Sequence, residues 1–218
     1  MAPALVLAAS PHAGGVTDRL AALLAQGLAD AGAKARLRAL RDVPVAPCTG
    51  CGACSRPPHC CPLSPGSLQD AGSPGRDAPP DGAEAIFAAM RASPLVCLCA
   101  PVWFYALPAQ CKALVDRAQR IWQAEGGANL YDGKREKAGG KALILLTAGR
   151  PKGERLFEGP LLTLRCFFAA LRVEIAATRG YRGLDSPEEL SARPDVTGEV
   201  YQLGRAWGER LAAGAPDA

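Results

Sequence analysis

The sequence contains no run of basic residues interleaved with aromatic residues, and no apolar run approaches the length needed to span a membrane. Its net charge is only +4, with both signs spread along the chain. The segment Met1 to Ala9 is apolar but lacks the positive region of a signal peptide. We therefore expect a cytoplasmic protein that binds neither nucleic acid nor a membrane.

Cysteine is abundant but unevenly distributed. Of the nine cysteines, five lie in one short loop and four are scattered through apolar segments. The loop cysteines are Cys48, Cys51, Cys54, Cys60 and Cys61, and the scattered ones are Cys97, Cys99, Cys111 and Cys166. This split argues against a secreted disulfide framework and for a metal or redox loop in a reducing compartment. We expect the scattered cysteines to be small buried hydrophobic residues.

Short apolar runs alternate with segments of helical periodicity along the chain. The predicted strands are Leu5 to Ala9, Lys34 to Leu40 at a sheet edge, Leu95 to Ala100, Ala142 to Thr147 and Val173 to Thr178. The predicted helices run from Thr17 to Gly32, Ala83 to Ala92, Pro108 to Trp122, Gly159 to Leu171, and from Ser186 to about Ala213 with a break near Arg193-Pro194.

This alternation predicts an α/β protein with a five-stranded parallel sheet covered by helices on both faces. We expect a single domain over residues 1–218, with a cysteine loop at 43–61 and a flexible loop rich in proline and glycine at 62–82. Ligands of such sheets bind at the carboxyl ends of the strands. The residues that follow Ala9, Ala100 and Leu146 are therefore the candidate site.

The loop after the first strand has the composition of a phosphate-binding turn. It begins at Ser10, contains Gly14 and Gly15, and reaches Thr17 at the start of a helix. Backbone N–H groups, a helix dipole and two hydroxyls suit a phosphate monoester. The alternative is an ordinary glycine-rich turn with Thr17 as a helix N-cap, and His12 is either a further donor or a solvated residue. A phosphatase of similar topology is excluded, because the loop lacks the cysteine and arginine of that chemistry.

The loop after the third predicted strand carries three consecutive aromatic residues, Trp103 to Tyr105, directly after Pro101-Val102. Flat apolar faces at the ligand end of a sheet suit a planar ring system. A hydrophobic cluster or a subunit interface is the alternative. The loop Thr147-Ala148-Gly149-Arg150 after the fourth strand is rich in small residues, which would let a ring approach the backbone closely.

Three segments resemble the NADPH-dependent FMN reductase superfamily, and most closely its iron-sulfur flavoprotein branch. They are ASPHAGGVTDRL, PCTGCGAC and APVWFYALPAQCKALVDR. The resemblance covers most of Ala4 to Gly149 and implies a flavodoxin-like fold that binds FMN. The implied contacts are Ser10, His12, Val16 and Thr17 at the phosphate, Pro101, Val102, Trp103 and Phe104 at the isoalloxazine, and Thr147 to Gly149 at its far edge. Family members often carry a basic residue at the position of His12 and asparagine at that of Val16, so the donor set here is thinner.

The cysteine loop admits three interpretations. Cys48, Cys51 and Cys54 form C-x2-C-x2-C, and Cys60 and Cys61 follow. Four closely spaced thiolates can hold a 4Fe-4S cluster or a zinc ion, or they can be redox thiols without a metal. The resemblance implies a cluster, because iron-sulfur flavoproteins have a compact four-cysteine motif here, although many relatives keep part of the pattern and carry FMN alone. We predict Cys48, Cys51, Cys54 and Cys60 as the metal ligands, preferring Cys60 to Cys61.

The leading functional hypothesis is an oxidoreductase that relays electrons between a 4Fe-4S cluster and FMN. The flavin carries the chemistry, so no catalytic side chain is required. The alternative is an NAD(P)H-dependent reductase of flavin, quinone or another small acceptor without a cluster. The third is a non-catalytic zinc-binding or interaction module. We expect a small-molecule or protein redox partner, and the aromatic loop together with Trp122 predicts a homodimer or homotetramer.

Overall fold

A computed structural model describes residues 2–64, 81–126 and 139–214 of the chain, and strands and helices alternate within them. The strands are β1 (Ala4–Ala8), β2 (Ala35–Ala39), β3 (Leu95–Pro101), β4 (Gly140–Ala148) and β5 (Val173–Arg182). The helices are α1 (Val16–Asp30), α2 (Ala83–Ala92), α3 (Ala109–Arg117), α4 (Gln119–Ala124), α5 (Glu158–Ala170), α6 (Pro187–Ser191) and α7 (Pro194–Ala212).

The five strands form one parallel sheet in the order β2-β1-β3-β4-β5. The predicted α/β architecture is therefore confirmed, and β2 lies at an edge as predicted. The chain crosses from one side of β1 to the other between β2 and β3, so the strand order changes direction there. In open parallel sheets, ligands bind outside the carboxyl ends of the strands at this point.

Two hydrophobic layers cover the sheet, because successive residues of a strand point to opposite faces. On one face the strands pack against α1, α6 and α7, and on the other against α2 to α5. The first layer includes Val6, Cys97, Leu143, Leu24 and Trp207, and the second includes Leu7, Leu98, Ile144, Phe87 and Phe168. The continuously apolar runs of β1, β3 and β4 are thus buried on both sides, as a parallel sheet requires.

Helices α1 and α7 approach each other closely at two glycines. A Cβ atom on Gly27 would lie 2.3 Å from the carbonyl oxygen of Tyr201, and one on Gly204 would lie 2.4 Å from that of Leu24. Any larger residue at either position would push the two helices apart.

The helix predicted from Pro108 to Trp122 is two helices in the structure. The N–H of Ala118 donates to the carbonyl of Val115, three residues back, at 3.0 Å. This tighter turn separates α3 from α4, and the apolar spacing gave no sign of it. Trp122 lies half-buried on α4, and its role in a homo-oligomer stays a prediction.

The predictions for Cys166 and for the loop at 62–82 are not confirmed by the described residues. Cys166 is exposed rather than buried, because the inward face of α5 is formed by Leu164, Phe167 and Phe168. The predicted flexible loop at 62–82 falls mostly on residues 65–80, which lie outside the described residues. In the part of the chain that the structure describes, no helix is both long and apolar enough to cross a bilayer.

Candidate functional site

The carboxyl ends of β1, β3 and β4 meet at one cleft, which we call the strand-end cleft. Parallel pairing fixes this meeting: Ala8 of β1 is in register with Cys99 of β3, and Pro101 of β3 with Thr147 of β4. The cleft is lined by Ser10, His12, Gly15, Val16, Thr17, Pro101, Val102, Trp103, Thr147, Ala148, Gly149, Leu184 and Asp185. The structure thus brings together every predicted flavin-contacting residue except Phe104.

The loop between β1 and α1 presents a helix N-terminus to this cleft. Gly15 is the N-cap residue, with no side-chain hydrogen bond to the first turn, and α1 begins at Val16. The interpretation of Thr17 as the N-cap is therefore wrong, because Thr17 lies inside the first turn. The first N–H groups of a helix have no acceptor within it, so this turn offers donors to an anion.

Buried hydroxyls are concentrated at the same place. Ser10, Thr17 and Thr147 are three of the five buried polar or charged residues in the described chain. The Oγ1 atoms of Thr17 and Thr147 lie 3.3 Å apart, although their residues are 130 positions apart in sequence. Oγ of Ser10 accepts from the N–H of His12 at 3.1 Å. Buried hydroxyls at the floor of a cleft are suited to recognising a polar ligand rather than to stabilising a core.

Asp18 and Arg41 form a charged pair beside the loop, and the sequence reasoning missed it. Asp18 accepts from the N–H of Gly14 at 2.8 Å and pairs with Arg41 at 2.9 Å. The hydrogen bond from Arg41 to Asp18 raises the pKa of Arg41. Arg41 also donates to the carbonyl of Ser10 at 3.3 Å. An ion pair thus lies beside the candidate phosphate loop, with its arginine supplied by the segment after β2.

The aromatic loop is a tight turn with a strained backbone. Phe104 and Tyr105 have φ values of +49° and +61°, and Trp103 and Ala106 exchange two backbone hydrogen bonds of 3.0 and 2.9 Å. Two central residues with positive φ define a type I′ turn, which normally takes asparagine or glycine. Each bulky residue held in this region costs about 1–3 kcal/mol, and such strain collects at functional sites.

The turn displays its aromatic rings in different directions. Trp103 lines the cleft and its ring centroid lies 5.7 Å from that of His12. Phe104 is fully exposed at the tip of the turn and does not line the cleft. The prediction that Phe104 flanks a bound ring therefore has no support from its placement. Tyr105 points to a different neighbour, accepting a hydrogen bond on its hydroxyl from Arg150 at 2.8 Å.

The segment after β5 completes the rim of the cleft, in addition to the three loops that the sequence predicts. Leu184 and Asp185 line the cleft beside Gly149. A Cβ atom on Gly149 would come within 2.8 Å of the Asp185 carboxyl carbon, so a larger residue there would force the Asp185 side chain to shift. The sequence does contain a signal for this residue, because Asp185 follows the predicted last strand, whose carboxyl end lies at the same edge of the sheet.

The strand-end cleft fits the phosphate ester of a planar ring system. Its floor has helix N–H groups and buried hydroxyls for a phosphate, and its wall has Trp103 and small residues for a ring. FMN has both parts. The three strand-end loops would hold it, with the phosphate at the Ser10 to Thr17 loop and the ring along the other two.

A second cleft is lined largely by the cysteine loop, and we call it the cysteine cleft. Cys48, Cys51, Cys54 and Cys61 line it together with residues of α3 and α4. Cys60 does not; its Sγ is exposed and lies 3.9 Å from the carbonyl oxygen of Pro58. The preference for Cys60 over Cys61 is therefore not supported by the structure, since Cys61 lines the cleft and Cys60 does not.

The cysteine cleft does not fit a metal centre. Within residues 2–64, 81–126 and 139–214, no three histidine, cysteine, aspartate or glutamate side chains are grouped so as to hold a metal ion. The predicted ligand set of Cys48, Cys51, Cys54 and Cys60 is thus not assembled. Burial, and less strongly the neighbouring thiols, raises the pKa of Cys54.

A buried ion pair connects the segments that form the cysteine cleft. Arg117 of α3 donates to Asp81 at 2.7 Å and to the carbonyl of Ala46 at 3.2 Å, and its side chain is completely buried. Asp81 also accepts from the N–H groups of Ala46 and Ala83 at 2.7 and 3.0 Å. The cysteine loop, the start of α2 and α3 are thereby tied together.

The scattered cysteines of the sheet and of α3 are inert by burial, as predicted. Cys97, Cys99 and Cys111 are buried. Burial raises the pKa of Cys99 and of Cys111 to about 12, and raises that of Cys97 well above its ordinary value. These thiols stay protonated at neutral pH, so they are structural residues.

Comparisons with known proteins identify the family and the fold of the chain. The sequence profile of a family described as NADPH-dependent FMN reductase matches residues 3–158. No curated protein matches the chain by sequence. Among solved structures, an NAD(P)H:quinone oxidoreductase from Methanothermobacter marburgensis is 19% identical, with a TM-score of 0.56 over 95% of this chain and 94% of that one.

Two further structures share the architecture. An FMN-dependent NADH-azoreductase from Bacillus anthracis, solved in complex with FMN, is 12% identical, with a TM-score of 0.61 over 96% of this chain and 99% of that one. A flavone reductase is 10% identical with a TM-score of 0.64, and 96% of this chain spans only 63% of that one. At these identities the likeness shows the flavodoxin-like fold alone, which confirms the predicted fold class.

Proposed function

The chain belongs to the NADPH-dependent FMN reductase family, and from this premise we propose that it binds FMN and transfers electrons from NAD(P)H to a small acceptor such as a flavin or a quinone. The family and the oxidoreductase class predicted from the sequence are thereby confirmed. The observation that supports the proposal is the strand-end cleft, where all the predicted contact residues except Phe104 lie together.

Each part of the cleft has a separate task in this proposal. Ser10, Thr17 and the first turn of α1 hold the phosphate of FMN by hydrogen bonds. Trp103 and the small residues Ala148 and Gly149 position the isoalloxazine ring and exclude water from one side of it. When bound, the flavin supplies the hydride and electron chemistry.

The reductase needs no ionisable catalytic side chain in the cleft. His12 and Asp185 are the titratable residues that line it. His12 lies against the Trp103 ring, where it can donate to the phosphate. Asp185 lies against Gly149, where its carboxylate would accept a hydrogen bond from a bound flavin. Both residues therefore bind and orient.

The cluster relay has less support than the reductase. The family accounts for FMN and NAD(P)H, whereas the described cysteines do not assemble a metal site. The reductase reaction requires no second redox centre, because the dinucleotide delivers both electrons to the flavin. We therefore propose the reductase without the cluster as the function of this chain.

The decisive experiment is anaerobic mixing of the purified protein with NADPH in a stopped-flow spectrophotometer. We expect a yellow protein with one FMN per chain, whose flavin absorbance bleaches on mixing and returns when a quinone is added. A colourless protein that does not take up added FMN would contradict flavin binding. A yellow protein that neither NADPH nor NADH bleaches would contradict the reductase. Iron and sulfide analysis of the same anaerobic sample tests the relay.

A further inference from the structure

The loop between β4 and α5 carries a cluster of cationic side chains at the edge of the strand-end cleft. Arg150 and Lys152 are exposed residues of this loop, and Arg182 reaches it from the end of β5. A Cβ atom on Gly153 would lie 3.9 Å from both Nε of Arg150 and Nη1 of Arg182. The two guanidinium groups therefore flank the same backbone position. We call Arg150, Lys152 and Arg182 the basic cluster.

Neutral groups hold the two arginines in place. Arg150 donates to the hydroxyl of Tyr105 at 2.8 Å. Arg182 donates to the carbonyl of Gly153, and its Cζ lies 5.2 Å from the ring centroid of Phe157. Among the described residues, no carboxylate forms an ion pair with either arginine. Their positive charges are oriented but not neutralised.

Another arginine of the same loop, by contrast, does form an ion pair. Arg155 pairs with Glu158 through two hydrogen bonds, so its charge is compensated within the protein. Arg117, Arg179 and Arg193 likewise pair with carboxylates. Two adjacent guanidinium groups without a carboxylate repel each other, which favours the binding of an anion between or beside them.

The position of the basic cluster identifies the anion. Arg150 directly follows Gly149 of the cleft lining and contacts the strained aromatic turn, so the cluster borders the entrance. It belongs to different chain segments from the Ser10 to Thr17 loop, which already has the donors for the phosphate of FMN. A second phosphate-bearing molecule that must reach the same ring is the dinucleotide donor.

We propose that the basic cluster binds the phosphate groups of the reduced pyridine dinucleotide while its nicotinamide reaches the strand-end cleft. This inference rests on the proposed function. Guanidinium groups form paired, charge-assisted hydrogen bonds with phosphate oxygens, and their planar forks are well suited to this geometry. The cluster thereby favours a dinucleotide over hydride donors that carry no phosphate.

The test uses Arg150→Gln and Arg182→Gln in the flavoprotein, with Arg155→Gln as the matched control from the same loop. Flavin bleaching is followed under anaerobic conditions over a range of NADPH and NADH concentrations. We expect each cluster variant to weaken the apparent affinity for NADPH by about 10-fold, because each removes a charge-assisted interaction with phosphate. Flavin content and the bleaching rate at saturation should stay unchanged, and Arg155→Gln should behave like the parent protein.

The NADH arm distinguishes the two phosphate sources within the dinucleotide. Weakening of NADPH alone would assign the cluster to the 2′-phosphate, and equal weakening of both would assign it to the pyrophosphate. Unchanged affinities for both, or equal weakening in Arg155→Gln, would overturn the inference while leaving the reductase function intact.

A direct binding measurement separates failure of the reductase function from failure of the proposed phosphate site. If the parent flavoprotein is not bleached by either dinucleotide, the reductase fails, and the cluster is then tested by calorimetry with 2′,5′-ADP and ADP. Binding of at least one nucleotide that weakens in Arg150→Gln and with added salt would support a nucleotide-phosphate site. Absence of binding at low salt would overturn it.

Discussion

The strand-end cleft takes its lining from the loops after four different strands, whereas the cysteine cleft takes most of its lining from a single loop between β2 and α2. In the first, the sheet register fixes which residues meet: Thr17 and Thr147 touch because β1, β3 and β4 are parallel neighbours. In the second, the thiols depend on the conformation of a loop without regular ladder bonds. The position of a residue along a strand thus predicts contacts better than close spacing in sequence does.

The two clefts also differ in what holds them. The strand-end cleft is supported by the sheet, and its buried polar groups are small hydroxyls. The cysteine cleft is supported by the buried pair of Arg117 and Asp81, which joins α3 to two loop segments. Damage to this pair should therefore affect the cysteine cleft far more than the strand-end cleft.

The largest expected effect comes from Arg117→Met. Removing the guanidinium leaves the nearly buried Asp81 carboxylate without its cation, and breaking a buried ion pair from one side costs about 3–5 kcal/mol. Unfolding in urea, followed by circular dichroism, measures the loss. Lys112→Met on the same helix is the control, because its pair with Asp116 is exposed and contributes about 0.3–0.5 kcal/mol. Equal destabilisation by both variants would show that the buried pair contributes no more to stability than the exposed one.

Much of the strand-end cleft could be predicted, because local signals coincide with strand ends. The apolar run before Ser10, and the runs before Pro101 and Thr147, each identify a strand with a loop at its carboxyl end. Parallel pairing then brings the loops together without further information. Helix α2 was predicted at its observed bounds for a similar reason, since its apolar residues recur at helical spacing.

The remaining features depend on contacts between segments that have no shared pattern. Nothing in the sequence pairs Asp81 with Arg117, 36 residues away, or directs Cys61 rather than Cys60 into the cysteine cleft. The positive φ values of Phe104 and Tyr105 contradict the usual preferences of aromatic residues. Such features are set by the surrounding structure against local propensity, so a sequence pattern does not reveal them.

Thr17→Val should weaken FMN binding by about 10-fold to 100-fold, because a hydrogen bond to a charged phosphate contributes about 1.5–3 kcal/mol. Valine preserves the shape of threonine, so the change isolates the hydroxyl. Fluorescence titration of the apoprotein with FMN measures the affinity. Thr197→Val is the control, since that hydroxyl donates to the carbonyl of Pro194 in its own helix. An unchanged FMN affinity in Thr17→Val would remove this hydroxyl from the phosphate site.

Phe104→Asn should stabilise the protein by about 1 kcal/mol, because asparagine tolerates the left-handed backbone that phenylalanine adopts at a cost. Phe104→Ala removes the same exposed ring, but alanine does not tolerate a positive φ as asparagine does. The difference between the two variants in the free energy of unfolding, measured in urea, therefore isolates the backbone strain. Both should keep the FMN affinity of the parent protein, since Phe104 does not line the cleft. A fall in FMN affinity in both would instead place the Phe104 ring against the flavin, as the sequence predicted.

The smallest effect is expected for Cys54→Ser and Cys61→Ser. If the two clefts are independent, neither substitution should alter flavin content, FMN affinity or bleaching by NADPH, because the sheet register that forms the strand-end cleft does not involve the cysteine loop. The measurements are the FMN titration and the anaerobic stopped-flow trace, and Thr17→Val shows the size of a genuine loss. If either serine variant kept its flavin but slowed the return of absorbance on adding an acceptor, the cysteine cleft would lie on the electron path. The two clefts would then be two parts of one redox system, although one is formed by strand ends and the other by a single loop.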